Sequence, residues 1–131
     1  MSVSPGAQTE MPRFVLLEHR WNGVHWDFML EHGEVLRSWA IAAPVVARKE
    51  LPARELGDHR RAYLEYEGEV SGNRGTVRRI DRGTYTVVFW SAERVRVRLN
   101  GSQLVGDVEL CQVGESSDGV SSWIFRLGNL D

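Results

Sequence analysis

The feature that most constrains the fold is a period-two alternation of apolar and polar residues, which begins at Phe14 and continues almost to the end of the chain. Side chains of an extended strand point alternately to opposite faces, so this pattern predicts strands with one buried and one exposed face. Helical periodicity is scarce, and glycine-containing turns separate the apolar runs. The residues therefore predict an all-β fold of about eight short strands, either a closed antiparallel barrel or a sandwich.

Three turn sequences predict how neighbouring strands connect. Residues 32–34 contain a glycine between two alternating segments and predict a hairpin. Residues 81–83 read Asp-Arg-Gly and predict a turn between strands 77–80 and 85–90. Asn100-Gly101 predicts a tight turn that closes a hairpin.

Two segments read as loops. Residues 42–58 contain Pro44 and Pro52 among mixed small, apolar and charged residues, which predicts an irregular crossing loop with at most a short helical turn. This loop would carry His59 across to the candidate metal site in residues 18–31, although a plain surface excursion fits the composition equally well. Residues 114–121 are polar and predict a loop before a last strand at 122–127.

Length and composition predict one compact domain. A chain of 131 residues with 42% hydrophobic residues can bury a single core, which we assign to residues 13–131. Residues 1–12 are small and polar and are predicted to be a flexible lead-in. The single cysteine, Cys111, excludes an internal disulfide and a cysteine metal cage. With no apolar run of membrane-spanning length, we expect a cytoplasmic protein that does not engage a membrane.

The formal charge of −2 does not indicate a broad basic surface for nucleic acid. The basic residues are nevertheless almost all arginine, and Arg94, Arg96 and Arg98 alternate with apolar residues along one predicted strand. An arginine fork suits phosphate binding. The same stripe is also typical of a solvated strand face, so both interpretations stay open.

The segment from Glu18 to Glu31 carries the residues that favour chemistry. His25 and Asp27 would share one face of a strand, and His19 precedes a short glycine-containing connection that could fold it back beside His25. Two imidazoles and a carboxylate are ligands for a catalytic metal and leave coordination positions for water and substrate. Ordinary hydrogen-bonded or solvent-facing side chains are the alternative.

An ordered series of short motifs resembles the 3′-phosphoesterase domain of bacterial DNA ligase D. The series covers nearly all of residues 13–127, and its order is more specific than any one of its motifs. It comprises Glu18-His19, His25-Trp26-Asp27-Phe28, Ser38-Trp39-Ala40, Asp58-His59 with Tyr63, Tyr66-Glu67-Gly68, Asp81-Arg82-Gly83, Leu104-Val105-Gly106 and Trp123-Ile124-Phe125.

The resemblance implies a small closed antiparallel β-barrel with long connecting loops and a Mn²⁺-dependent activity, with Zn²⁺ or Co²⁺ as other metals. The activity would remove a terminal ribonucleoside and then a 3′-phosphate from DNA 3′ ends of a primer-template, in repair by non-homologous end joining. Matched residue by residue, His19, His25 and Asp27 would hold the metal, and His59 and Tyr63 would contact phosphate and act in catalysis. We expect any cooperation with a ligase or polymerase to occur in trans.

The chain departs from the family pattern two residues after Asp27, the last of the implied metal ligands. Met29 stands where the family has an arginine, and methionine neither carries charge nor donates a hydrogen bond. We therefore expect the phosphomonoesterase step to be impaired. Arg20 is our predicted replacement for phosphate binding, with Arg60, Arg61 and Arg74 as alternatives. A catalytically impaired module that binds DNA ends or a repair protein is the second hypothesis, and a metal-storing or structural barrel is the third.

Overall fold

The computed structural model describes residues 11–115 and 119–128. The predicted lead-in therefore lies outside the described residues except for Met11 and Pro12, and the middle of the predicted loop 114–121 lies outside them as well. Within the described part of the chain, no helix is long and apolar enough to cross a membrane.

The described residues form ten strands and one short 3-10 helix, and eight of the strands close into an antiparallel barrel. Around the barrel the order is β1, β2, β3, β4, β10, β9, β8, β7, and pairing of β7 with β1 completes the ring. Strands β5 and β6 are additional, pairing with β3 and β7 respectively. The elements are β1 (Arg13–Arg20), β2 (Val24–His32), β3 (Val35–Ile41), β4 (Glu50–Glu55), β5 (His59–Arg60), the 3-10 helix (Arg61–Leu64), β6 (Gly68–Glu69), β7 (Thr76–Trp90), β8 (Arg94–Gly101), β9 (Val105–Glu115) and β10 (Ser121–Leu127). The predicted all-β fold, about eight strands and closed barrel are confirmed.

The barrel interior is filled by one face of every barrel strand. Phe28 and Leu30 of β2 point inward, and so do Trp39 of β3 and Trp123 of β10, whose rings meet edge to face at 5.6 Å. Each large apolar side chain buried this fully contributes about 1.5–3 kcal/mol to folding. The period-two pattern thus supplies the barrel core directly.

A second apolar cluster lies on the outer face of the barrel. Outward-facing residues of β1, β2, β3 and β7 meet residues of the segment 61–70, which folds over them. The cluster consists of Val15, Leu17, Met29, Leu36, Leu64, Val70 and Val77, with Tyr63 packed against it. This outer cluster fixes the position of the covering segment, and the candidate site lies beside it.

The prediction of a turn at residues 81–83 is wrong, because β7 runs without interruption from Thr76 to Trp90. The buried Asp81 carboxylate instead accepts hydrogen bonds from the backbone N–H groups of the three residues 102–104. Glycine is required at position 83 because the backbone of Asn100 lies so close that a Cβ there would be 2.2 Å from the Asn100 carbonyl oxygen. The Asp-Arg-Gly sequence therefore organises a neighbouring turn and does not reverse its own strand.

The predicted crossing loop at residues 42–58 is also corrected, because it contains β4. This strand pairs with both β3 and β10 and so helps to close the barrel, and Leu51 points into the core. Pro52 is tolerated because the β3–β4 ladder ends at the neighbouring Ala53. The hairpin predicted at Asn100-Gly101 exists, but both residues belong to β8 and its loop is formed by residues 102–104.

Candidate metal centre

The β1–β2 hairpin brings the three predicted ligands to one outer face of the barrel. His19 lies directly opposite His25 in the antiparallel register, and Asp27 follows two residues later on the same face as His25. The connecting turn requires backbone conformations with positive φ at Asn22 and Gly23, which asparagine and glycine adopt more readily than other residues. The turn sequence thus sets the register that pairs the two histidines.

The ligand atoms converge closely. His19 Nδ1 lies 3.1 Å from His25 Nε2 and 3.3 Å from Asp27 Oδ2, and His25 Nε2 lies 3.1 Å from Asp27 Oδ1. Two ligand atoms bound to one ion at about 2.1 Å are roughly 3.0 Å apart in octahedral geometry and roughly 3.4 Å apart in tetrahedral geometry. The observed separations match those of atoms that share one divalent cation.

A hydrogen bond at Nε2 of His19 leaves Nδ1, the other ring nitrogen, facing the candidate metal centre. The Arg74 carbonyl oxygen lies 2.8 Å from His19 Nε2, and a carbonyl can only accept, so Nε2 carries the proton. Nδ1 of the neutral ring then presents a lone pair towards His25 and Asp27. Such a second partner, which fixes the tautomer, is typical of histidines that bind metal.

Asp27 is the buried member of the centre, with only 2% of its surface exposed. Its Oδ1 atom has no hydrogen-bond partner among the described residues, although His25 Nε2 is 3.1 Å away. A buried carboxylate oxygen without a donor is costly unless a cation neutralises it. Donor type, spacing and this orphaned oxygen together fit a divalent cation held by His19, His25 and Asp27.

A cavity of about 320 Å³ opens beside the centre. His19 and Asp27 line one side, and His59 and Tyr63 line another. His59 is held by a hydrogen bond from its Nδ1–H to the Gly57 carbonyl oxygen at 2.8 Å, and its ring contacts the Tyr63 ring edge to face. The structure thus brings both predicted phosphate contacts to the same cavity as two of the predicted metal ligands.

Met29 lines this cavity and is only 1% exposed, because it belongs to the outer apolar cluster. No cation therefore reaches the cavity from this position of β2. The predicted replacement, Arg20, is not among the residues that line the cavity, and its Nε donates to Glu18 at 3.2 Å. Arg60 and Arg74, two of the alternatives, do line it.

The arginines of the β8 stripe form ion pairs with acidic residues of β9. Arg94 pairs with Glu109 at 2.8 Å, and Arg96 and Arg98 both contact Asp107, at 3.0 and 2.8 Å. The hydrogen bond from Arg98 lowers the pKa of the Asp107 carboxyl group. Because two acidic residues of β9 pair with all three arginines, the solvated-face interpretation is the one that the structure supports.

Two contacts of the centre were missed by sequence reasoning. One is the Arg74 carbonyl described above, which has no sequence signal because any residue carries that group. The other is Trp21, which is 42% exposed and has its ring nearly parallel to the His19 ring at 6.1 Å. Its place in the hairpin turn gave no reason to expect an aromatic contact with a candidate ligand.

The fold and the site define a small β-barrel protein with a His/His/Asp centre beside a cavity that has both polar and apolar walls. The family model described as the DNA Ligase D 3′-phosphoesterase domain matches residues 17–112. This match spans well over half of the chain, and the chain belongs to that family. A search of curated proteins gives no match. Membership gives the chain a 3′-phosphoesterase-type role in DNA repair, with DNA as the substrate.

Proposed function

We propose that the protein is a Mn²⁺-dependent phosphoesterase that heals DNA 3′ ends by removing a 3′-terminal ribonucleoside. The observation that carries this proposal is the convergence of His19, His25 and Asp27 at a cavity whose other wall contains His59 and Tyr63. Zn²⁺ and Co²⁺ also suit a His/His/Asp ligand set, and metal availability then decides between them. The substrate would be a primer-template end, met in repair by end joining.

His19, His25 and Asp27 would hold the cation. When bound, it supplies electrostatic polarisation of a phosphoryl oxygen and acidification of water. In a neutral His19 ring, the Nε2–H bond to the Arg74 carbonyl leaves the lone pair on Nδ1, the ligand nitrogen. The protein's own contribution at this wall is therefore a set of ligand atoms already in position.

His59 and Tyr63 would act from the other wall. The Gly57 carbonyl holds the Nδ1 proton of His59, so proton exchange with substrate must take place at Nε2. In hydrolysis of the terminal phosphodiester, water would add to phosphorus as the bond to the 5′ oxygen of the ribonucleoside breaks. The imidazolium form of His59, protonated at both ring nitrogens, would give its Nε2 proton to that departing oxygen, leaving a 3′-phosphate on the DNA. The Tyr63 hydroxyl would donate to a non-bridging oxygen.

Removal of the remaining 3′-phosphate would be the slower activity. A terminal phosphate carries more negative charge than a diester, and the buried Met29 offers it no donor. We therefore expect ribonucleoside removal to exceed phosphate removal.

The test is incubation of the protein with Mn²⁺ and a primer-template that ends in a single 3′-ribonucleotide, beside His25→Ala and His32→Ala proteins. His32 is a matched control, because it is exposed and stacks on Trp90 away from the centre. We expect a shortened primer from the wild type and His32→Ala, and none from His25→Ala. Equal trimming by all three proteins would refute the assignment.

The second candidate function is a non-catalytic module that binds DNA ends or a repair protein, and the apolar Met29 in the cavity wall is the observation that favours it. In the same assay this module would leave the primer intact while still retarding the DNA in a gel. Retardation without trimming by the wild type would select this second function.

A further inference from the structure

The cavity beside the candidate metal centre needs a positive side chain if it is to receive a phosphate. Two carboxylates, Asp27 and Asp58, line it, and the Met29 wall is apolar. A phosphate group brings further negative charge to the same space. Part of this charge would remain uncompensated by one divalent cation, and a guanidinium fork is well suited to balance it.

Three nearby arginines are already engaged elsewhere. Arg20 donates to Glu18, Arg61 pairs with Glu31 at 2.5 Å, and Arg74 donates through Nε to the Ser71 carbonyl at 2.7 Å. Arg20 and Arg61 also do not line the cavity. For Arg74, the hydrogen bond to Ser71 holds the guanidinium within its own turn. Arg20 and Arg61 are thus held by carboxylates away from the cavity, and Arg74 has its Nε donor occupied by the Ser71 carbonyl.

Arg60 differs from these three in its surroundings. It lines the cavity together with its neighbour His59, and it also lines an adjoining cavity of about 190 Å³, so the residue lies between the two spaces. The residue is exposed, and no carboxylate in the described ranges lies within ion-pair distance of it. Its backbone is fixed by antiparallel pairing with Val35.

We propose that Arg60 is the phosphate-binding cation of this site, contacting the phosphate that His59 contacts from the same strand. This role rests on the proposed function and adds to it the residue that stabilises the bound phosphate. Adjacent residues of a strand usually point to opposite faces, but a two-residue strand that ends at a cavity can present both at its rim. A charged donor with no competing carboxylate loses no existing ion pair when it binds phosphate.

The test measures binding of inorganic phosphate to the Mn²⁺-loaded protein by isothermal titration calorimetry, which avoids any dependence on turnover. We expect Arg60→Ala to weaken phosphate binding roughly tenfold, since one charge-assisted contact is lost. Arg60→Lys should give an intermediate affinity, because it keeps the charge and loses the fork. Arg61→Ala is the matched control and should stay within about twofold of the wild type, because its guanidinium is held by Glu31.

Two further measurements separate a binding role from a structural one. The Mn²⁺ affinity and the thermal midpoint of Arg60→Ala should equal those of the wild type, since Arg60 is exposed and touches none of the three candidate ligands. Phosphate binding by Arg60→Ala that equals the wild type would overturn the role of Arg60 alone. A wild-type protein that neither binds phosphate with Mn²⁺ nor trims the ribonucleotide-ended primer would overturn the proposed function and this inference together.

Discussion

Replacing Asp27 with asparagine should have opposite effects on the metal-free and the metal-loaded protein. In the metal-free protein the carboxylate is 2% exposed and one of its oxygens lacks a donor. The two ring nitrogens lie 3.1 and 3.3 Å from different carboxylate oxygens, so an asparagine amide can donate to one of them and accept from the other. We therefore expect metal-free Asp27→Asn to be about 1–2 kcal/mol more stable than the wild type, because a buried charge is removed.

With Mn²⁺ bound, the wild type should be more stable than Asp27→Asn. A cation at roughly 100 times its dissociation constant stabilises the protein that binds it by about 2.7 kcal/mol. For a domain of this size that corresponds to a rise of roughly 10 °C in the thermal midpoint. Asp27→Asn loses an anionic ligand, so its midpoint should rise by no more than about 2 °C on addition of Mn²⁺.

The assay is thermal unfolding followed by circular dichroism, with chelator and with Mn²⁺, for wild type, Asp27→Asn and Glu34→Gln. Glu34 is an exposed acid in the β2–β3 turn, and its substitution controls for the change of net charge. Glu34→Gln should respond to Mn²⁺ as the wild type does. The reasoning is refuted if Mn²⁺ raises the midpoint of Asp27→Asn as much as that of the wild type, or if chelator leaves Asp27→Asn clearly less stable than the wild type.

Three other substitutions probe separate parts of the structure. His59→Ala should lower the rate of ribonucleoside removal, measured by single-turnover primer trimming, by a factor of about 10²–10⁴. It should leave the Mn²⁺-induced rise in the thermal midpoint intact. An unchanged rate would exclude the proposed proton transfer. Asp81→Ala should lower the free energy of unfolding, measured in urea, by about 2–3 kcal/mol, because three backbone N–H groups lose their acceptor. The control Glu93→Gln, at an exposed position, should change this free energy by less than about 0.5 kcal/mol. Burial, with Glu31 nearby, raises the pKa of Tyr85 to about 12, so the folded protein keeps the phenol proton that the unfolded chain loses near pH 10. That stabilisation is complete below pH 10 and is lost as the pH rises towards 12. Between these pH values, the unfolding free energy of Tyr85→Phe should therefore fall by roughly 2 kcal/mol less than that of the wild type. Parallel declines of the two proteins would contradict the raised pKa of Tyr85.

The barrel was predictable because its strands are specified mainly by the alternation of apolar and polar residues. Each strand has one inward face, so Phe28 and Trp39 could be assigned to a buried face before their neighbours were known. Alternation gave no comparable check on the turn that was predicted at residues 81–83. Its Asp-Arg-Gly sequence is typical of a turn, but the carboxylate of Asp81 binds a different turn 21 to 23 residues later. Local sequence does not report such a distant partner.

The centre itself was partly predictable. The spacing of His25 and Asp27 gives a shared face from sequence alone, and the glycine-containing connection suggested how His19 could join them. The phosphate-side arginine was not predictable, since Arg20, Arg60, Arg61 and Arg74 differ only in which acids and carbonyls surround them after folding. Our prediction of Arg20 took no account of Glu18, whose carboxylate lies on the same strand and engages it.

The two walls of the cavity belong to different structural layers. The candidate ligands are carried by a barrel hairpin, whereas Tyr63 is carried by the segment 61–70 that rests on the outer apolar cluster. His59 and Arg60 form β5, which pairs with the start of β3. Local unfolding needs less free energy than global unfolding when few contacts must break. A change in the segment 61–70 therefore costs less free energy than a change in the cation-holding hairpin, which is anchored in the barrel.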